Sequence, residues 1–210
     1  MSNLGLYARH IFPRLCDWSM RNPRIERLRS DTLSEASGEI LEIGFGTGLN
    51  LEHHPEHVRR LTAVDPGEGM ARIARRRIER SEIDVDLRVQ TAEELPFEDG
   101  QFDFVVSTWT LCSVRDARRA VAEISRVLKP GGRFLYLEHG LSDEASVQRW
   151  QRRLTPLQKR IAGGCRLDVD IETLVRSGGF RDVRVERFLL DGTPRIAGSM
   201  YRGVAVRYIS

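Results

Sequence analysis

The chain has 210 residues, 40% of them hydrophobic and 30% charged, with a formal net charge of +3 and three cysteines. That suits one domain with a sizeable apolar core. No run approaches the roughly 18 apolar residues needed to span a bilayer, and no signal-peptide pattern opens the chain. No CxxC pair is present, so a cytoplasmic protein with reduced thiols is expected.

Residues 1–36 come first, and Pro13 and Pro23 are expected to break them into short amphipathic helices. Ile40–Ile43 reads as a first strand, followed by a Gly-rich loop and a short helix near Asn50. Leu61–Val64 is a second strand. A helix from Gly69 to about Arg80 sets Met70, Ile73, Ala74 and Ile78 on one face. Val85–Val89 and Phe102–Ser107 are the third and fourth strands. Ala117–Leu128 is helical, with Ala120, Val121, Ile124, Val127 and Leu128 inward, and stops at Lys129-Pro130-Gly131-Gly132. Arg133–Glu138 is the fifth strand. Ser142–Leu167 has no strand character, Asp170–Ser177 is helical, and Val183–Leu189 and Tyr201–Tyr208 read as an antiparallel hairpin.

This alternation predicts an α/β fold: a Rossmann-like, seven-stranded, mostly parallel sheet with an antiparallel last strand, helices on both faces and an N-terminal helical lid. The expected divisions of the single domain are a lid at 1–36, a core at 37–141, a lid insertion at 142–167 and a C-terminal helix with hairpin at 168–210. Ligands in such sheets bind beyond the C-terminal ends of the strands, where both appendages could fold over them. Positive charge is concentrated in the same appendages: Arg9, Arg14, Arg21, Arg24, Arg27 and Arg29 in the first, and Arg149, Arg152, Arg153, Lys159 and Arg160 in the second. A solvated basic face accounts for this. The sharper alternative is an anionic substrate or peripheral membrane contact. Nucleic acid is not expected, because the basic residues are not interleaved with aromatic platforms.

The loop Leu41-Glu42-Ile43-Gly44-Phe45-Gly46-Thr47-Gly48 carries the chemistry. Its glycines allow a sharp turn and close approach of a ligand, and amides at a helix start attract a carboxylate. A dinucleotide fingerprint, GxGxxG, spans five residues from first to last glycine; here the span is four. Glu42, two residues before the first glycine, would repel a pyrophosphate and attract an ammonium-bearing sulfonium amino acid. Asp65, 17 residues beyond Gly48, lies close to the spacing of an acid that grips ribose hydroxyls.

E-I-G-F-G-T-G, V-D-P, T-A-E-E-L-P-F, F-D-F-V-V-S and L-K-P-G-G, in this order over residues 38–140, resemble the class I S-adenosylmethionine-dependent methyltransferases. The resemblance implies S-adenosyl-L-methionine as cofactor. Gly44, Gly46, Gly48, Ser107 and Thr108 would then pack on its methionine portion, with Asn50 at the loop's end beside them. Glu42 would orient the loop or the ammonium group. Tyr7, in the N-terminal helix, could hydrogen-bond the cofactor carboxylate or equally be a core or lid tyrosine. Asp65 would hold the ribose, Pro66 and Met70 would flank adenine or ribose, and Thr91, Ala92 and Glu93 would line the adenine pocket. Many relatives have an acid where Thr91 stands, so Glu93 or a backbone group would take that contact.

V-S-T-W-T-L-C-S-V, L-E-H, W-Q, G-G-C-R-L and G-G-F are similar, more narrowly, to the methyltransferase-like 7 group of thiol methyltransferases and to bacterial phospholipid N-methyltransferases. This implies a small or lipid-like methyl acceptor, with a thiol or amine favoured. The alternatives are O- or C-methylation of a quinone or polyketide-type product, and a non-catalytic module that binds the cofactor. The thiol group carries a hydrophobic N-terminal anchor, which is not seen here. His139, after the fifth strand, is the candidate general base. Trp109 and Trp150 could wall an apolar pocket. Cys112 is expected in the core at a helix start, and Cys165 as a structural or incidental thiol in preference to a methyl acceptor or a metal-binding thiol. His53, His54 and His57 read as a solvated loop, and no metal site is expected.

Overall fold

Ile40–Ile43 (β1) is buried at all four positions, the charged Glu42 among three apolar residues, as a central strand covered on both faces requires. The computed structural model describes residues 6–208; the first five residues of the expected lid lie outside that range. A π-helical turn, Tyr7–Ile11, leads into α1 (Phe12–Ser19) and then α2 (Pro23–Leu33). After β1 come a 3₁₀ turn at Leu51–His53, β2 (Arg60–Val64), α3 (Glu68–Ile78), β3 (Asp84–Arg88) and β4 (Phe102–Thr108). The chain continues through α4 (Ala117–Val127), β5 (Leu128–His139), α5 (Ala145–Ile161), α6 (Ile171–Arg176), β6 (Phe180–Leu189) and β7 (Ser199–Arg207).

Among the described residues the strands form one seven-stranded sheet in the order β3-β2-β1-β4-β5-β7-β6. β1 to β5 run parallel, and β7 pairs antiparallel with both β5 and β6. The pleat sorts side chains to two cores. Leu41, Ile43, Val105, Phe134 and Tyr136 meet Ala120, Val121 and Ile124 of α4 and Ile171, Leu174 and Val175 of α6 on one face. Ile40, Val106 and Leu135 meet Leu33 of α2 and Ala74 of α3 on the other. The strand order reverses its direction of growth at β1 and β4, so the crevice for a ligand opens between their C-terminal ends.

Two local expectations are refined, and one, the helix stop at Lys129–Gly132, is corrected. Pro13 and Pro23 stand in the first turn of α1 and α2; a fixed φ and a missing amide suit a helix start, so they begin helices there. Lys129-Pro130-Gly131-Gly132 lies within β5, which is longer than expected. Phe102 pairs with Leu128 and Phe104 with Arg133, so these four residues form a bulge and α4 passes straight into the strand. The insertion at 142–167 is mostly one 17-residue helix, with Pro156 inside it.

Candidate active site

The Gly-rich loop hangs from β2. Gly44 N and Phe45 N both donate to Val64 O, at 2.9 and 3.2 Å. The loop's sharp course needs a left-handed backbone, with φ of +71° at Gly44 and +58° at Gly46. The two glycines serve different ends. A Cβ on Gly44 would overlap Thr110, whereas one on Gly46 would meet only Gly44 O, at 3.8 Å. Gly44 therefore permits close packing, and Gly46 leaves an open cradle. Gly48 lies under the Phe45 ring, away from the cavity.

Asp65 locks this cradle. Its Oδ2 accepts from Gly46 N and its Oδ1 from Gly67 N, both at 2.7 Å. Burial pushes the Asp65 carboxyl above its ordinary pKa, and the two amides pull the other way. Each oxygen keeps lone-pair capacity for a further donor.

A cavity of about 480 Å³ opens beside the loop, within the range of small-molecule and cofactor sites. Of the predicted cofactor residues, the structure brings Glu42, Gly44, Gly46, Asn50, Asp65, Pro66, Met70, Thr91, Ala92, Glu93 and Thr108 to its walls. Glu93 is already engaged, accepting from Arg115 N and Asp116 N at 3.1 and 3.3 Å. Gly48, Tyr7, Ser107 and His139 do not line it. Tyr7 donates to Ile161 O at 2.9 Å, tying the N-terminal turn to the end of α5. Ser107 points into the core and donates to Glu138 Oε1 at 2.6 Å. Thr110 N and Leu111 N bind the same carboxylate, at 3.1 Å each. Burial pushes the Glu138 pKa up to about 7 against these donors.

His139 has its Nε2 3.0 Å from Cys165 Sγ. Its ring is occupied there, which separates the expected base from the cavity. Burial opposes charge on His139, but the Cys165 contact outweighs it and raises the pKa. The Cys112 thiol, and then His139, hold Cys165 below the ordinary thiol range. Cys112 is buried in a turn, not at a helix start.

The most informative residue escaped the sequence reading. Arg29 of α2 lines the cavity and is only 5% exposed. Its Nη1 donates to Asn50 Oδ1 at 2.5 Å and Thr108 Oγ1 at 3.0 Å. Its guanidinium lies 4.7 Å from the Trp109 ring centroid, a cation–π distance. Burial lowers its pKa to about 10, so it remains a cation at neutral pH. Its Nε is buried without a partner. Trp109 itself has φ of +52°, a strained conformation for a bulky residue. Beneath Arg29, Asn50 Nδ2 donates to Glu42 Oε1 at 2.9 Å, and His54 Nε2 lies 3.4 Å from Glu42 Oε2. Thus His54 is buried rather than solvated, His53 is half-buried, and His57 alone is exposed as expected. His53 bonds Ser30 Oγ, His54 faces Glu42, and His57 bonds Ala36 O.

The appendages meet over the cavity. Phe12 and Cys16 of α1 and Met20 just after it line the cavity, with Ala162 and Gly163 from just after α5. A Cβ on Gly163 would lie 2.6 Å from the Phe12 ring, so the glycine permits this closure.

Fold and cavity define a class I, Rossmann-like ligand-binding architecture, and comparison with known proteins gives it chemistry. Residues 41–136 match the family model described as a methyltransferase domain. The chain is 32% identical over 151 residues to thiol S-methyltransferase TMT1B of Rattus norvegicus, covering 70% of this chain and 62% of that protein. It is 29% identical over 164 residues to a phosphatidylethanolamine N-methyltransferase of Cereibacter sphaeroides, covering 71% and 80%. A crystal structure of a SAM-dependent methyltransferase from Thermotoga maritima, described as a possible histamine N-methyltransferase, superposes with a TM-score of 0.66. That match has 25% identity and covers 94% of this chain and 98% of the other. The chain carries a methyltransferase domain of the S-adenosylmethionine-dependent class. Its sequence is similar to both thiol and phospholipid methyltransferases, and it spans somewhat less than two thirds of the length of the rat thiol enzyme.

Proposed function

We propose that this protein transfers the methyl group of S-adenosyl-L-methionine to the thiol or amine of a small, apolar or lipid-like acceptor. The observation that carries the reading is the cavity, whose lining includes both the buried acid Asp65 and the buried cation Arg29. The residues present fit the cofactor. Gly46 leaves a cradle that a Cβ would enter, Asp65 offers a carboxylate beside it, and Arg29 Nε is a buried donor lacking an acceptor. Asp65 would hold the ribose hydroxyls and Thr91, Ala92, Pro66 and Met70 the adenosine flank. Arg29 would take the carboxylate, and Glu42, through Asn50, the ammonium side. The bound cofactor supplies a methyl group already activated by a sulfonium.

What remains for the protein is alignment and exclusion of water. The Gly-rich loop and Asp65 fix the donor. Trp109, Phe12 and Met20 give the acceptor side an apolar wall. A thiol is a few per cent thiolate at neutral pH and needs no strong base; a neutral amine already carries its lone pair. The position of His139 outside the cavity therefore does not hinder the reaction.

A lipid-like acceptor is supported by the outer surface. Trp18 is 78% exposed, and Trp150, Leu157 and Ile161 of α5 are also exposed. The last three follow helical spacing, with Arg149, Arg152, Arg153, Lys159 and Arg160 among them. Apolar side chains rimmed by positive charge suit an anionic lipid surface. None of the described helices is long and apolar enough to cross a membrane. The test is a labelled-methyl transfer screen over thiols, amines, phenols and phospholipids, with and without anionic vesicles. Transfer to an apolar thiol or amine is expected. Transfer to phenols alone would favour the O-methyltransferase reading, and cofactor binding without transfer to any class would leave a binding module.

A further inference from the structure

Cys112, His139 and Cys165 are separated by 27 and 26 residues in sequence, yet their donor atoms lie within 4.8 Å of one another. They come from the turn after β4, the end of β5 and the loop after α5. Both cysteines are free, and the His139 Nε2 to Cys165 Sγ distance is 3.0 Å. His139 Nδ1 is buried with no hydrogen-bond partner, so the ring is not held by the usual network of a core histidine. The methyl-transfer reading gives none of the three a role.

We propose that Cys112, His139 and Cys165 form a three-ligand site for a thiophilic divalent cation of the zinc class. Two thiolates and an imidazole are a borderline-soft donor set that selects such ions over calcium or magnesium. A tetrahedral zinc with sulfur near 2.3 Å and nitrogen near 2.0 Å separates its donors by roughly 3.5–3.8 Å. The observed cluster needs only side-chain adjustments of ångström scale to reach that spacing. A structural zinc site has four protein donors, whereas three leave a position for water or an exogenous ligand. Ser113, next to Cys112, and Gly163, two residues before Cys165, line the cavity, so the cation would sit just behind its wall. Binding an ion there would tie the end of α5 to the sheet and stiffen the closure over the cavity.

The test uses the full chain, reduced and stripped with chelator, then titrated with cobalt(II) and afterwards zinc. One equivalent of cobalt should give a sulfur-to-metal charge-transfer band, which zinc should bleach. Metal retained on gel filtration should fall at least tenfold in C112S and in C165S and be unchanged in H57Q, an exposed histidine outside the cluster. Calorimetry with S-adenosylhomocysteine checks that the variants fold. A reduced wild-type chain without the band overturns the proposal, whatever the variants do. So does a band that survives both cysteine substitutions, or a Cys112–Cys165 disulfide that persists under reductant and excludes metal.

Discussion

Replacing Arg29 with methionine separates the two ends of the proposed cofactor. The substitution keeps most of the side chain's length and removes its charge. Arg29 donates to two neutral acceptors, each bond contributing about 1 kcal/mol net. Relief from burying a cation offsets part of that loss, and Thr108 Oγ1 remains 3.4 Å from Asn50 Oδ1 as a substitute donor. Stability should therefore fall by no more than about 2 kcal/mol. A hydrogen bond to a charged group is worth about 1.5–3 kcal/mol. Affinity for S-adenosylhomocysteine should thus drop roughly ten- to hundred-fold. Affinity for 5′-methylthioadenosine, which lacks the amino-acid end, should stay within about two-fold. Isothermal calorimetry on both ligands, with thermal melts as a folding check, measures the difference. Equal losses for the two ligands would refute the carboxylate role and make Arg29 a general support of the cavity.

Asp65→Ala should weaken cofactor binding by about 1–3 kcal/mol by calorimetry, through lost charge-assisted hydrogen bonds; unchanged affinity would sink the ribose assignment. Gly46→Ala meets open space but a left-handed φ, so urea melts should show a loss of about 1–2 kcal/mol, while cofactor binding should be lost because the new methyl occupies the cradle. Glu138 supplies a pH test. Its folded pKa of about 7 lies above the ordinary carboxyl value of 4.5, so the folded state holds the proton more tightly. Its contribution is complete below pH 4.5 and declines as pH rises toward 7. Between pH 4.5 and 8, wild type should therefore lose on the order of 3 kcal/mol relative to Glu138→Gln. A stability difference that does not change with pH in denaturant titrations would refute that coupling.

The sheet was legible because buried strands write themselves as apolar runs and the glycines punctuate them. Seven strands, the antiparallel hairpin and the Gly-rich wall of the cavity follow from local signals. The bulge at Lys129–Gly132 was not legible, since Pro and two glycines equally end a helix or interrupt a strand; only pairing with β4 decides. Arg29 looked like one of six surface arginines. A signal was present: Ile25, Arg29, Thr32 and Leu33 share the buried stripe of α2, and an arginine on that stripe needs a partner. The meeting of Cys112, His139 and Cys165 depends on three elements converging at one sheet edge, which no local pattern encodes. The same holds for His54, whose carboxylate partner lies across the Gly-rich loop.

The N-terminal turn and the end of α5 meet at one wall of the cavity. Tyr7 and Phe12 reach across more than 150 residues to Ile161 and Gly163. The latch is one hydroxyl–carbonyl bond and one ring lying against a glycine. A partly exposed bond of this kind holds with about 1 kcal/mol, so thermal motion releases it without unfolding either helix. If the cavity holds the cofactor as proposed, opening this seam would release it while the Gly-rich loop, fastened to β2 and Asp65, stays in place.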